Sequence, residues 1–285
     1  MKRKFKVRIT IVPLLFILIS CSTAPKNPGD IFELRNRCES QLDLGSKEAD
    51  HGNYEKALIL LTESSRLAIL CDDPSLLIRT GLSLGNVLLE LGRKDEAFAQ
   101  WNKSAAEAEN TANRELAAVS RIHIARGRLL SGERNAQSVL DDVNREMASI
   151  KSDQLYVAFS WLVCGLCRRE MGRYTEAETA VRNSLDIHVK GKYLTQASYD
   201  WFVIASIRSL AGSYDAALQA LRSAIELDRR AENTFGLASD WRAMGDVYKK
   251  AGNAASSKQA YLRAAGIFRA LGSEEEASAM EKTAN

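Results

Sequence analysis

The sequence predicts an all-α protein, a solenoid of six helical hairpins, and three observations support this fold class. First, six glycines recur at intervals of forty residues without insertion or deletion: Gly52, Gly92, Gly132, Gly172, Gly212 and Gly252. Second, apolar residues recur at spacings of three, four and seven, the one-face pattern of an amphipathic helix. Third, a single proline follows residue 30, and no strand-like alternating run with hairpin turns occurs. A fixed period of this length indicates stacked units that share a continuous core.

Each unit is expected to be two antiparallel helices joined at the recurring glycine, which suits the left-handed residue just past a helix end. A tiny residue stands seven positions before each glycine, where two helix backbones can approach closely. These residues are Gly45, Gly85, Ala125, Gly165, Ala205 and Gly245.

The starts of several helices are also marked by residue type. Asn53, Ser213 and Asn253 follow a recurring glycine, so their side chains are predicted to cap the next helix. Asp73 before Pro74 indicates an N-cap followed by the first helical position, and it separates the first hairpin from the second.

The sixth unit carries a recognisable motif, Trp241-x2-Met244-Gly245-x2-Tyr248. It resembles the tetratricopeptide signature W-x2-L-G-x2-Y, and Ala97-x3-Trp101 is similar to the A-x3-F of the same family. The resemblance implies a right-handed superhelical array over residues 31–272, closed by a capping helix over 273–285. Two departures are a period of forty instead of thirty-four and the absence of the family's closing proline. Arrays of the HEAT type also have periods near forty, but they lack these columns.

Residues 1–20 are expected to be a signal peptide rather than part of the fold. They contain a basic start and an apolar run over 9–19 that is too short for a stable membrane span. The segment ends Leu18-Ile19-Ser20-Cys21, which resembles the lipobox of bacterial lipoproteins and implies lipid attachment at Cys21. An ordinary secretory signal and an uncleaved anchor are the alternatives. Residues 21–30 then form a polar tether, and Ser22 favours the outer membrane under the sorting rule of enteric bacteria.

The charge balance depends on this leader. Its five basic residues account for the formal net charge of +3, and their removal leaves about −2. The folded part therefore offers no electrostatic basis for binding nucleic acid, and membrane contact is expected through the lipid.

The cysteines permit two further hypotheses. Cys38 and Cys71 lie at neighbouring ends of the first hairpin, and export would permit a disulfide between them. Cys164 and Cys167 form a C-x-x-C, but they stand in mid-helix in an apolar column, which favours core packing over redox chemistry.

The family resemblance implies that the first helix of each hairpin lines the concave face. We transfer the family's concave-face positions to the matching repeat positions of this sequence to obtain the predicted partner-binding residues. These residues combine positive charge with aromatic surface, a mixture that suits a peptide or helix bearing an acidic residue or a free carboxylate. They are Arg79, Asn86, Arg126, Phe159, Arg169, Tyr199, Phe202 and Ser206. For any one of them, packing against the next repeat is the alternative.

No catalytic, metal-binding or cofactor-binding motif occurs. The sequence therefore predicts a non-enzymatic, lipid-anchored scaffold of the cell envelope that binds another protein or a peptide. The alternatives are a small-ligand-binding or accessory subunit of a periplasmic uptake system, and thiol redox work.

Overall fold

The structure is a computed structural model that describes residues 33–284. This range contains thirteen α-helices and no strand, which confirms the predicted all-α helical repeat fold. The predicted signal peptide, Cys21 and the tether lie outside the described residues. The helices are α1 Glu33–Asp50, α2 Tyr54–Leu70, α3 Pro74–Glu90, α4 Lys94–Asn110, α5 Arg114–Leu130, α6 Ala136–Met147, α7 Gln154–Glu170, α8 Tyr174–Gly191, α9 Leu194–Leu210, α10 Tyr214–Ala231, α11 Thr234–Lys250, α12 Ala254–Ala270 and α13 Glu274–Ala284.

The helices pack in two layers. From α2 onward each helix contacts the next in the chain, and from α3 to α11 each odd-numbered helix also contacts the following odd-numbered helix. No comparable contact joins consecutive even-numbered helices within residues 33–284. The odd-numbered helices are therefore the more closely spaced inner layer, and the even-numbered helices form the outer layer.

The turns confirm the role predicted for the recurring glycines. All six have positive φ, between 69° and 77°, in the turn that joins the two helices of a hairpin. Four of the five turns between hairpins contain a non-glycine residue with positive φ: Asp72, Ala112, Lys192 and Glu232. This conformation is uncommon for residues with a Cβ, and the sequence alone did not indicate it.

Trp101 shows why the tiny column is needed. A Cβ on Gly85 would lie 2.1 Å from the indole Nε1 of Trp101, and a Cβ on Gly127 would lie 2.6 Å from its far edge. The indole is fully buried between α3 and α5 and donates a hydrogen bond to the carbonyl of Leu82 at 3.2 Å. The small residues thus make room for the largest side chain of the core.

The predicted helix caps are confirmed in part. The side chain of Asp73 accepts a hydrogen bond from the backbone of α3, and that of Asn253 does so for α12. Asn53 and Ser213 form no such bond, so these two predictions were wrong. The Asn53 amide instead donates to Glu48 at 2.8 Å, because an acidic partner is available within the preceding helix.

The turn of the first hairpin reaches the far end of the array. A Cβ on Gly52 would lie 2.4 Å from the ring of Phe235 in α11, and Tyr54 packs edge-on against that ring, with centroids 6.1 Å apart. Gln196 of α9 donates to Asp50 at 3.4 Å across 146 residues of sequence. The array therefore coils far enough to bring its first unit against its fifth and sixth.

Within residues 33–284, no helix is both long enough and apolar enough to cross a membrane.

Candidate functional site

All eight predicted partner-binding residues lie on odd-numbered helices, the inner layer, and none is buried. We call this set the inner face. Two of its members, Arg79 and Tyr199, are exposed, and the others are partly accessible. Their accessibility is what a binding surface requires.

The first half of the inner face is organised around a histidine that sequence reasoning did not single out. His123 of α5 is hydrogen-bonded to Asn86 of α3 at 3.0 Å and stacks on Phe159 of α7, with ring centroids 4.3 Å apart. Burial, together with the nearby Arg126 charge, lowers the pKa of His123 to about 3, so the ring is neutral at physiological pH. This chain of contacts holds three consecutive inner helices in a fixed arrangement.

The arginines of the inner face differ in how their charge is neutralised. Arg169 donates to Glu170 at 2.8 Å and to Ser206 at 3.4 Å, so its guanidinium already has a carboxylate partner. Among residues 33–284, no carboxylate lies within 4.0 Å of the guanidinium of Arg79 or Arg126. These two arginines can therefore receive an anionic group without first breaking an ion pair.

The second half of the inner face meets the first hairpin. Tyr199 and Phe202 lie nearly parallel, 6.1 Å apart, on α9, the helix that Asp50 reaches through Gln196. Surrounding protein and the Asp228 carboxylate raise the pKa of Asp50 to about 6, although its surface remains accessible to water. The inner face is therefore bordered at this end by an acidic turn, an arrangement that only the coiling of the array creates.

Sequence reasoning also missed a column of polar residues inside the array. At forty-residue spacing, twelve positions before the recurring glycine, stand Thr80, Ser120, Ser160, Asp200 and Asp240, all buried. In α9, Asp200 accepts from Ser184 at 3.0 Å and pairs with His188 at 2.6 Å. The repeat spacing was the signal that could have revealed this column, since buried polar groups need partners at fixed places.

The cysteine predictions have different outcomes. Cys164 and Cys167 are fully buried, and burial raises the pKa of their thiols to about 11 and about 12, so neither forms a thiolate readily. Cys38 and Cys71 are free thiols in this structure, donating to the carbonyls of Ser64 and Leu67 respectively. The structure thus lacks the predicted disulfide, and pairing in an oxidising compartment stays a prediction.

Comparisons with known proteins agree with this architecture. The family model for the tetratricopeptide repeat matches residues 201–230, which cover most of α9 and α10. A search of curated proteins found no match. The tetratricopeptide match is therefore limited to these thirty residues, within an all-α helical repeat fold.

Solved structures resemble the chain over most of its length. A Rap protein complexed with Competence and Sporulation Factor has a TM-score of 0.60 at 15% identity, covering 86% of this chain and 72% of that one. The Rap conjugation gene regulator of plasmid pLS20, in complex with the Phr* peptide, has a TM-score of 0.59 at 15% identity, covering 87% and 78%. PilW, a type IV pilus biogenesis factor, has a TM-score of 0.50 at 16% identity, covering 85% and 97%. At these identities the likeness shows the fold alone.

Proposed function

We propose that this protein is a lipid-anchored scaffold of the bacterial cell envelope, whose inner face binds an acidic segment of a protein or peptide partner. The proposal that the inner face binds an acidic ligand rests on Arg79 and Arg126. Both belong to the accessible inner layer, and neither has a carboxylate partner among the described residues. Because Phe159 lies on the same face, one ligand can combine charge neutralisation with burial of apolar surface.

The structural relatives support this proposal by analogy. Two of them are Rap proteins whose solved structures contain a bound factor or peptide, and PilW is a type IV pilus biogenesis factor. Repeat arrays present extended surfaces rather than enclosed catalytic clefts. A non-catalytic scaffold is therefore the function that this fold and this surface favour.

Envelope location and lipid attachment are proposed from the sequence alone. The basic start, the short apolar run and the Leu18-Ile19-Ser20-Cys21 sequence support export and acylation at Cys21. Ser22 after the cysteine supports the outer membrane, with the array facing the periplasm.

We expect charge reversal at both unpaired arginines, Arg79→Glu with Arg126→Glu, to reduce partner recovery at least about tenfold. Each change replaces an attraction for an acidic ligand with a repulsion of comparable size. The measurement is crosslinking from the inner face in intact cells, followed by quantification of the captured partner. Arg169→Glu should have a smaller effect, because Glu170 already neutralises that guanidinium.

The matched control is Arg114→Glu with Arg230→Glu, which makes the same charge change at exposed positions outside the inner face. Circular dichroism should show that both double variants remain folded. Equal recovery from the inner-face variant, the control and the unmodified protein would show that the inner face is not the binding surface.

We expect Cys21→Ser to move the protein from the membrane fraction to the soluble fraction and to abolish labelling by a fatty-acid analogue. Without acylation, nothing in the proposed scheme retains the array at a membrane. Cys71→Ser is the control, and it should leave both readouts unchanged. Membrane retention of Cys21→Ser at the level of the unmodified protein would argue for an uncleaved anchor instead.

A further inference from the structure

A second surface, distinct from the inner face, lies on the outer side of the last two hairpins. It is a groove of about 450 Å³ between α10 and α12, with α11 as its floor. We call it the outer groove. The floor residues Trp241, Met244 and Tyr248 stand at helical spacings of three and four on one face of α11. They contact the even-numbered layer, so the outer groove is separate from the inner face.

The walls of the outer groove are basic. Arg222 and Arg229 come from α10 and Arg263 from α12. No carboxylate lies within 4.0 Å of these three guanidinium groups in the part of the chain that the structure describes. The guanidinium of Arg263 lies over the ring of Trp241, 4.6 Å from its centroid. This contact keeps one charge at the edge of the apolar floor.

The preceding repeat contains a comparable arrangement of arginine and tryptophan, and there a carboxylate pairs with the arginines. One repeat earlier, Arg182 of α8 lies over the ring of Trp201, 5.8 Å from its centroid. Its equivalent forty residues later is Arg222, which lines the outer groove together with Trp241. In the preceding repeat the Glu178 carboxylate accepts from Arg182 at 2.7 Å and from Arg208 at 2.8 Å. An internal carboxylate thus neutralises the arginines beside Trp201.

The last groove lacks this internal carboxylate. The position equivalent to Glu178 is Leu218, which is buried. The positions equivalent to Val189 and Arg208 are Arg229 and Tyr248, so the outer groove gains one arginine and loses another while it loses the carboxylate. The arginines of the outer groove therefore lie beside a tryptophan without the carboxylate that neutralises their counterparts one repeat earlier.

We propose that the outer groove binds an acidic segment of a partner protein. Carboxylate side chains of that segment pair with the arginines of the outer groove, as Glu178 pairs with Arg182 and Arg208 one repeat earlier. An intervening apolar side chain packs on Trp241 and Met244. Arginine suits this role because its planar guanidinium binds carboxylates with two parallel hydrogen bonds. The proposal is independent of the inner face, since no residue is shared between the two surfaces.

Two adjacent arginines offer a sharp test. Arg229 lines the outer groove and Arg230 does not, yet both are exposed and both stand in the last turn of α10. Glutamate at either position therefore changes the charge and the helix-end electrostatics equally. The probe is a fluorescein-labelled peptide that alternates glutamate pairs with single leucines, and its binding is followed by fluorescence polarisation.

We expect Arg229→Glu to weaken peptide binding at least about tenfold, and Arg230→Glu to change it less than about twofold. In the background of Arg79→Glu with Arg126→Glu, which removes acidic-peptide binding at the inner face, Arg229→Glu should still weaken the remaining binding and Arg230→Glu should not, which separates this proposal from the proposed function. A peptide with glutamine in place of glutamate should bind far more weakly. The proposal is overturned by equal losses in the two α10 variants, by undiminished binding of the glutamine peptide, or by no binding of the glutamate peptide. Citrate binding as tightly as the glutamate peptide would overturn it as well, by assigning the groove to small carboxylates.

Discussion

We expect Trp101→Ala to lower the free energy of unfolding by about 3–5 kcal/mol, as is typical when a large aromatic side chain is removed from a core. The indole is fully buried, and it fills the space left by Gly85 and Gly127 on the two neighbouring inner helices. It also packs edge-on against Phe98, with centroids 5.5 Å apart. The substitution leaves a cavity that reaches both α3 and α5. Urea denaturation followed by circular dichroism measures the loss.

The matched control is Trp201→Ala, since Trp201 is only partly buried and carries Arg182 over its ring. Its loss should be clearly smaller than that of Trp101, because less apolar area is removed from contact with other atoms. In a repeat array each unit is stabilised mainly by its neighbours. A loss below about 1 kcal/mol for Trp101→Ala would show that α3, α4 and α5 do not depend on this side chain.

The second large effect concerns a buried pair of carboxyl groups between α10 and α11. Asp228 and Asp240 are 3% and 2% exposed. Burial raises the pKa of Asp240 to about 9, with repulsion from Asp228 adding to it, and burial raises the pKa of Asp228 to about 6. Asn233 donates to Asp228 at 3.0 Å, whereas Asp240 Oδ2 has no hydrogen-bond partner among the described residues. The fold therefore favours the protonated form of Asp240.

We expect stability to fall as the pH rises from about 4 towards 9. In the unfolded chain both carboxyls lose their protons near pH 4, while in the folded chain Asp240 keeps its proton up to about pH 9 and Asp228 up to about pH 6. At these carboxyls the folded state binds more protons than the unfolded state, so the free energy of unfolding decreases by about 1.4 kcal/mol per pH unit for each proton retained. His123, whose pKa is lowered to about 3, opposes this effect below about pH 6.5, but it offsets only one of the retained protons. Asp50, whose pKa is raised to about 6, acts in the same direction. Thermal unfolding at pH 5 and at pH 8 measures the difference.

The variant Asp240→Asn isolates the contribution of this carboxyl. It keeps the shape of the side chain but cannot ionise, so we expect it to melt at a higher temperature than the unmodified protein at pH 8, with a smaller difference at pH 5. Asp186→Asn, at an exposed position on α8, is the control and should follow the unmodified protein at both pH values. Identical pH profiles for Asp240→Asn and the unmodified protein would contradict the assignment.

Sequence reasoning predicted the architecture well because repetition averages out local ambiguity. The forty-residue spacing of glycines predicted the hairpin turns, and the tiny column predicted the close approach that Gly85 makes to Trp101. The eight residues of the inner face share the odd-numbered helices for the same reason. The role of a residue within its repeat depends on its own hairpin and the adjacent ones, and six aligned repeats show the same residue pattern at each position.

The sequence did not show which arginines of the candidate site are paired with carboxylates. Arg79, Arg126 and Arg169 are indistinguishable as residue types, yet Arg169 is neutralised by Glu170 and the other two have no carboxylate within reach in the described chain. The helix caps show the same limit, since Asn53 turned to Glu48 rather than to its own helix. Pairing depends on which rotamer brings two long side chains together, and spacing alone does not specify this.

The sequence by itself determined the helical class, the period, the hairpin turns and the layer to which each column belongs. These follow from contacts within one repeat and between adjacent repeats. Only the tertiary structure decided that the first turn packs on Phe235, that Asp228 and Asp240 share one buried site, and that Glu178 neutralises two arginines beside Trp201. The physical reason is that coiling of the array brings together residues as far apart as Asp50 and Gln196, and the energy of each such contact depends on neighbours that no repeat pattern encodes.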